Sequence, residues 1–232
     1  MIIAGMATQP GRTRTAKKVV AQLIRDVDLL VVHLDGFGTV PKWLQNQKVI
    51  ARVFPERSTV GAAGKLDCLE FCSADDIVIV VDDDVRLRPN SIRGLLDGLA
   101  RQDKKTVVGY HGSILSPPLE SYVKDRRTVQ LAHGLDEDKT VDVVATCLTA
   151  WRFNDFVPRQ GSWDHYNMVD LQFSIDAAQE GVALMLLKRP KNFVSFLAQR
   201  QRGSIFSKLL RNDTQQTELA RQLLELRGQP PQ

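Results

Sequence analysis

Ile77-Val78-Ile79-Val80-Val81-Asp82-Asp83-Asp84 passes directly from an apolar, β-branched run into three adjacent carboxylates. Such a run, with no polar alternation, reads as a strand buried on both faces of a sheet. Open α/β sheets bury their strands in this way and hold ligands beyond the strands' carboxyl ends. The triplet therefore sits where an α/β sheet keeps its chemistry. Three neighbouring carboxylates repel one another and cost stability unless a cation or a set of donors neutralises them. Hard divalent cations, Mn²⁺ or Mg²⁺, favour carboxylate oxygens together with ligand phosphates. The competing explanation is an acidic cluster favoured at a helix start by the dipole. Arg86, Arg88 and Pro89 after the triplet, and the strand directly before it, favour a metal–phosphate site.

Upstream, Ile2 to Ala7 predicts a buried first strand, and Thr8-Gln9-Pro10-Gly11-Arg12 the loop that leaves it. Thr13 to Arg25 carries Val19, Val20, Leu23 and Ile24 at helical spacing. Asp28 to Leu34 predicts a second strand ending in Asp35-Gly36-Phe37-Gly38, and Lys48 to Phe54 a third. Gly61-Ala62-Ala63-Gly64-Lys65 opens a helix reaching about Cys72, and Arg88-Pro89-Asn90-Ser91 opens another reaching Ala100. Farther on, Thr106 to Gly109, Val141 to Leu148 and Val182 to Leu187 predict strands, the last of these closing the sheet. Residues 115–140 are polar without strong periodicity, and Met168 to Glu180 predicts a helix stopped by Gly181. Thr217 to Arg227 carries Leu219, Leu223 and Leu226 on one stripe. The alternation predicts an α/β fold with a central, mostly parallel mixed sheet flanked by helices.

With 232 residues, 43% of them hydrophobic and 25% charged, the chain can bury a substantial core and has little room for long disorder. A net charge of +4 suits an anionic small-molecule ligand and does not by itself call for nucleic acid. Cys68, Cys72 and Cys147 are odd in number, which argues against a disulfide framework. Cys68 and Cys72 would share one helix face, but a second ligand pair for zinc is missing, so reduced buried thiols are expected. With no recognisable signal peptide and no apolar run near ~20 residues, the expected location is cytoplasmic.

Val80-Val81-Asp82-Asp83-Asp84-Val85 resembles the DXD region of GT-A glycosyltransferases, with Asp82 and Asp84 at the two Asp positions. Met6 to Arg12 resembles the first-strand loop of bacterial family-2-like enzymes, and Val32 to Phe37 their second strand and base-binding loop. Gly64-Lys65-Leu66-Asp67 resembles the step before the DXD strand. Val108-Gly109-Tyr110-His111-Gly112 and Met168-Val169-Asp170-Leu171 resemble later landmarks of a capsule- or surface-glycan subgroup, as in polysaccharide biosynthesis. The resemblance implies a GT-A domain over 1–212, with a nucleotide-binding part near 1–105 and an acceptor-binding part near 106–212. A C-terminal amphipathic helix and tail would follow over 213–232. It further implies metal-dependent, inverting transfer of a sugar from an NDP-sugar, with UDP the expected nucleotide, to a glycan or lipid-linked hydroxyl.

On that resemblance Asp82 and Asp84 hold the metal and the donor diphosphate, Asp83 the donor sugar or ribose, and Asp170 is the catalytic base. Asp170 also reads as an ordinary acid at a helix start, and Asp164 competes for the role. Arg12 suits a pyrophosphate or a solvated loop equally. Asp35 suits a base N–H or an Asp-Gly turn. Lys65 at a helix start opposes the dipole, a cost that an anionic ligand would offset. His111 and the loop holding Trp151 are acceptor or diphosphate candidates, although a lone histidine is more often structural.

The segment Lys188 to Arg211 has seven cations and no Asp or Glu, and suits closure over a diphosphate through Arg200 and Arg202. It equally suits peripheral contact with anionic lipid at the inner face of the membrane, or a plain basic surface. Gln199-Arg200-Gln201-Arg202-Gly203 resembles the Gln-x-x-Arg-Trp element of processive synthases but lacks its Trp. Two other classes combine a similar sheet with acidic residues: a nucleotidyltransferase, and a non-catalytic GT-A-like subunit of a glycan-assembly complex. The first normally needs a Gly-rich, Lys/Arg-bearing loop after its first strand, of which Gly11-Arg12-Thr13-Arg14 is a poor version.

Overall fold

The computed structural model describes residues 1–56, 60–164, 168–197 and 212–228. In chain order the strands are β1 (Ile2–Thr8), β2 (Leu29–Asp35), β3 (Val49–Phe54), β4 (Ile77–Asp82), β5 (Val85–Leu87), β6 (Thr106–Gly109) and β7 (Gly112–Leu115). They continue as β8 (Arg126–Val129), β9 (Lys139–Thr140), β10 (Val143–Val144), β11 (Leu148–Arg152), β12 (Ala183–Leu186) and β13 (Val194–Phe196). The α-helices are α1 (Thr13–Leu23), α2 (Ser91–Ala100), α3 (Val169–Gln179) and α4 (Thr214–Gly228).

The central sheet has the order β3-β2-β1-β4-β11-β6-β12-β9. Its first four strands are parallel, and β11 runs antiparallel between β4 and β6. Alternation along each strand sorts the core into two layers. Ala4, Met6, Leu30, Val32, Ile79 and Val81 face Val19, Leu23, Ile92 and Leu95 of α1 and α2. Ile3, Val31, Val78 and Val80 face the other way, onto Leu66, Trp151 and Phe173. The expected α/β fold, a mixed and mostly parallel sheet flanked by helices, is therefore present.

Several local departures lie near the triplet. Gly61–Phe71 is a run of 3-10 turns instead of the expected α-helix. It lies tightly over β1 and β2. A Cβ on Gly5 would sit 1.8 Å from the Lys65 carbonyl oxygen, and one on Gly64 would sit 2.3 Å from the His33 ring. Cys68 and Cys72 are free, as expected, with the Cys72 thiol donating to the Cys68 carbonyl. Burial pushes the Cys72 thiol up to about 11.

The single strand expected over Val141 to Leu148 is two, β10 and β11. Between them Ala145 N donates to His111 O, Thr146 N to Asp170, and Asp82 N to Cys147 O. Those bonds draw the chain out of one sheet and into the next. Val182 to Leu187 is not the last strand: β13 follows and pairs with β5 directly after the triplet. The amphipathic C-terminal helix exists and begins at Thr214, earlier than its apolar stripe implies, because Asn212 Oδ1 accepts from Thr214 N and the Asp213 carbonyl from Thr217 N. None of the helices among the described residues is long and apolar enough to cross a membrane.

The close approach of the 3-10 run to the sheet has a direct consequence. Gly64→Ala must displace the His33 ring or the run itself, and is expected to cost about 1–3 kcal/mol by overpacking. Gly5→Ala meets main chain and should cost more. Urea denaturation of both variants checks the order.

Candidate functional site

β1 and β4 are adjacent and parallel, and the next strands of the sheet in the chain, β2 after β1 and β6 after β4, lie on opposite flanks of the pair, which makes their carboxyl ends a switch point. Thr8 ends one strand and Asp82 the other. The three carboxylates are handled differently there. Asp83 turns inward and is 2% exposed; it accepts from Thr8 Oγ1 at 2.7 Å and from Arg12 at 2.5 Å. Asp82 takes the Lys65 ammonium on Oδ1 at 2.5 Å while its side chain stays 36% exposed. Among the described residues, the Asp84 carboxylate meets the second nitrogen of Arg12, at 3.7 Å.

Charge follows from that geometry. Burial, and after it the neighbouring Asp82, push the Asp84 carboxyl up to about 7, with Arg12 only partly opposing. Burial also raises Asp83 against the pull of Arg12 and Thr8. Burial works against the charged forms of Lys65 and Arg12, but the carboxylates outweigh it and hold both cations above their ordinary values. Among the described residues, two cations thus serve three carboxylates, and Asp84 is the least neutralised of the three.

Asp170 stands in the first turn of α3. Its Oδ1 accepts from Thr146 N at 2.8 Å and from Thr146 Oγ1 at 2.7 Å. The Thr146 carbonyl in turn accepts from Lys65 Nζ at 3.1 Å. Asp170 also acts on the Lys65 ammonium, so it shares one electrostatic neighbourhood with the triplet. The fold brings Arg12, Lys65, Asp82, Asp83, Asp84 and Asp170 together. Asp35 ends β2, on the same sheet edge, where Gly36 turns with φ 77° and donates to the Phe54 carbonyl.

Other expectations are corrected. Lys65 is not at an exposed helix start; the anion that offsets its burial is Asp82. Trp151 is fully buried, donates from Nε1 to Phe156 O and packs on Phe173, so it belongs to the core and not to an acceptor contact. His111 has Nδ1 against Val129 O at 2.9 Å and Phe196 edge-on, and burial lowers its pKa, so it is neutral with Nδ1 as donor. Within the basic segment Arg189 is buried on the carbonyls of Tyr110, Leu187 and Gln130, which takes it out of any surface patch. Arg200 and Arg202 lie outside the described residues. Sequence reasoning missed Thr146, for which no spacing gives a signal, and the buried His33–Asp67 pair at 2.7 Å.

Among the described residues no three His, Cys, Asp or Glu side chains gather as a metal cage. The donor set is Asp82, with one oxygen outside the Lys65 bond, and the under-neutralised Asp84. That pair fits a hard cation carried on ligand phosphates, since Mg²⁺ sites need only one or two carboxylates beside them.

Comparison with known proteins bears on the architecture. Neither protein-family models nor curated protein sequences give a match. Among solved structures, the chain is similar to a nucleotidyl transferase from Methanothermobacter thermautotroptrophicus, at 16% identity and a TM-score of 0.50. The match covers 91% of this chain and 98% of that one. The likeness is one of fold. It agrees with a Rossmann-like α/β sheet built over nearly the whole chain.

Asp84 gives the site a pH signature. Its carboxyl ionises near 3.8 when unperturbed and near 7 in the folded chain, so between those values the folded state holds the extra proton. Its contribution to stability is present at low pH and is lost as pH rises through about 7. Asp84→Asn should therefore be more stable than the parent at pH 8, by about 1–3 kcal/mol. The difference should vanish near pH 4. Denaturation in chelating buffer across that range measures it.

Proposed function

We propose that the chain is a metal-dependent glycosyltransferase of the GT-A type, moving a sugar from an NDP-sugar, with UDP the expected nucleotide, to a hydroxyl of a glycan or lipid-linked acceptor. Residues 1–105 would hold the nucleotide, 106–212 the acceptor, with the C-terminal helix and tail after them. The observation that supports it most is the Asp82–Asp84 end of β4 meeting Asp170 through Lys65 and Thr146 at the switch point. A divalent cation on Asp82 and Asp84 would supply charge to stabilise the departing diphosphate. Asp83, locked to Thr8 and Arg12, would shape the floor beneath the donor sugar or ribose. Asp170 would take the proton of the acceptor hydroxyl as general base. Asp35, on the same edge, would meet the nucleotide base.

The second reading is a nucleotidyl transferase, the activity named for the solved structure of similar fold. The loop after β1 weighs against it. A triphosphate needs free cations and backbone there, whereas Arg12 is already committed to Asp83 and Asp84.

Thermal melting with UDP, GDP, CMP, ADP and TDP, with and without Mn²⁺, tests the reading. One nucleoside diphosphate should raise Tm only when Mn²⁺ is present, a shift reflecting the ~2.7 kcal/mol of stabilisation that a ligand at a hundred times its Kd supplies. Asp84→Ala should fold and lose the shift. Pyrophosphate release from a nucleoside triphosphate and a sugar phosphate would favour the second reading. Binding without hydrolysis or transfer would point to a non-catalytic subunit, and no shift with any nucleotide would overturn the proposal.

A further inference from the structure

Thr146 lies in the three-residue crossing between β10 and β11 and is fully buried. All of its polar groups are used, and they point to two different partners. Its N–H and its hydroxyl both donate to one oxygen of Asp170, at 2.8 and 2.7 Å. Its carbonyl accepts from Lys65 Nζ at 3.1 Å, and the same ammonium holds Asp82. The residue is therefore a single joint between the carboxylate at the end of β4 and the carboxylate at the start of α3. Burying a threonine to hold only a helix-start acid would not require the carbonyl to meet a fully buried lysine as well.

We propose that Thr146 is a positioning residue for proton removal by Asp170; the inference rests on the glycosyl-transfer reading above. Two donors on Oδ1 fix the carboxylate plane and leave Oδ2 as the oxygen that takes the proton. In the step, the acceptor O–H proton passes to Asp170 Oδ2 as the acceptor oxygen bonds to the anomeric carbon. The bond from that carbon to the phosphate oxygen breaks, and its electron pair leaves with the nucleoside diphosphate. The Thr146 carbonyl, through Lys65, ties the height of the base to Asp82 on the leaving-group side. Fixing both ends of an in-line displacement from one residue preserves the attack geometry, where small misplacement is costly.

The test compares Thr146→Val, which keeps volume and loses only the hydroxyl donor, with Thr146→Ser, which keeps the donor. Three readouts are taken on the full chain: nucleoside diphosphate release from UDP-, GDP- and TDP-sugars with Mn²⁺ and an oligosaccharide acceptor mixture, the Mn²⁺-dependent thermal shift with the matching nucleoside diphosphate, and the melting temperature. Removing one hydrogen bond to a charged group should lower kcat about 10- to 100-fold in Thr146→Val. KM for the donor and the nucleotide shift should stay at the parent values, and Thr146→Ser should recover most of the rate. Parent kcat in Thr146→Val would overturn the proposal alone. So would a loss of nucleotide binding matching the loss of rate, or equal damage in both variants, which would mark a purely structural threonine. Absence of turnover by the unmodified chain would overturn the underlying reading, and the proposal with it.

Discussion

Mutual repulsion among three carboxylates at the end of one buried strand is the constraint around which this molecule is organised. Asp82, Asp83 and Asp84 leave β4 where the sheet divides; water reaches Asp83 and Asp84 poorly, while Asp82 stays partly exposed. Desolvated charges of one sign interact far more strongly there than in water. The chain answers with one cation from each side. Arg12 comes from the loop after β1 and Lys65 from the 3-10 run laid over that strand. The tight seating of that run, made possible by Gly5 and Gly64, follows from the need to bring Lys65 under Asp82.

Compensation is incomplete, and the remainder is chemically specific. Asp83 is satisfied by an arginine and a threonine and becomes part of the floor. Among the described residues Asp84 is left in low dielectric with a distant guanidinium, which pushes its carboxyl up to about 7. A site short of one positive charge beside a partly exposed carboxylate suits a hard cation that arrives with phosphate oxygens. The same charge logic reaches the second half of the molecule through Thr146. There Lys65 and Asp170 are joined by one residue, and the strand expected over Val141 to Leu148 breaks to allow it.

The large features were legible because they depend on local pattern. The run Ile77 to Val81 predicted a doubly buried strand, and its alternate residues do face two separate core layers. The helical spacing in α1 was readable for the same reason. What failed depended on tertiary contact. Nothing in the residues around Trp151 distinguishes a loop tryptophan from one packed on Phe156 and Phe173. The Gly61–Phe71 run has the composition of a helix and departs from it through its contact with β1 and His33. Thr146 carries no motif, and Lys65 reads as awaiting an anionic ligand because its partner, Asp82, lies seventeen positions away.

A crystal soaked with Mn²⁺ and UDP, with diffraction recorded at the manganese absorption edge, tests the central claim most directly. An anomalous peak lying between Asp82 and Asp84 and touching the diphosphate, with Lys65 and Arg12 still on Asp82 and Asp83, is the expected result. A nucleotide bound away from the carboxyl ends of β1 and β4, or a manganese peak that none of these carboxylates contacts, would contradict it.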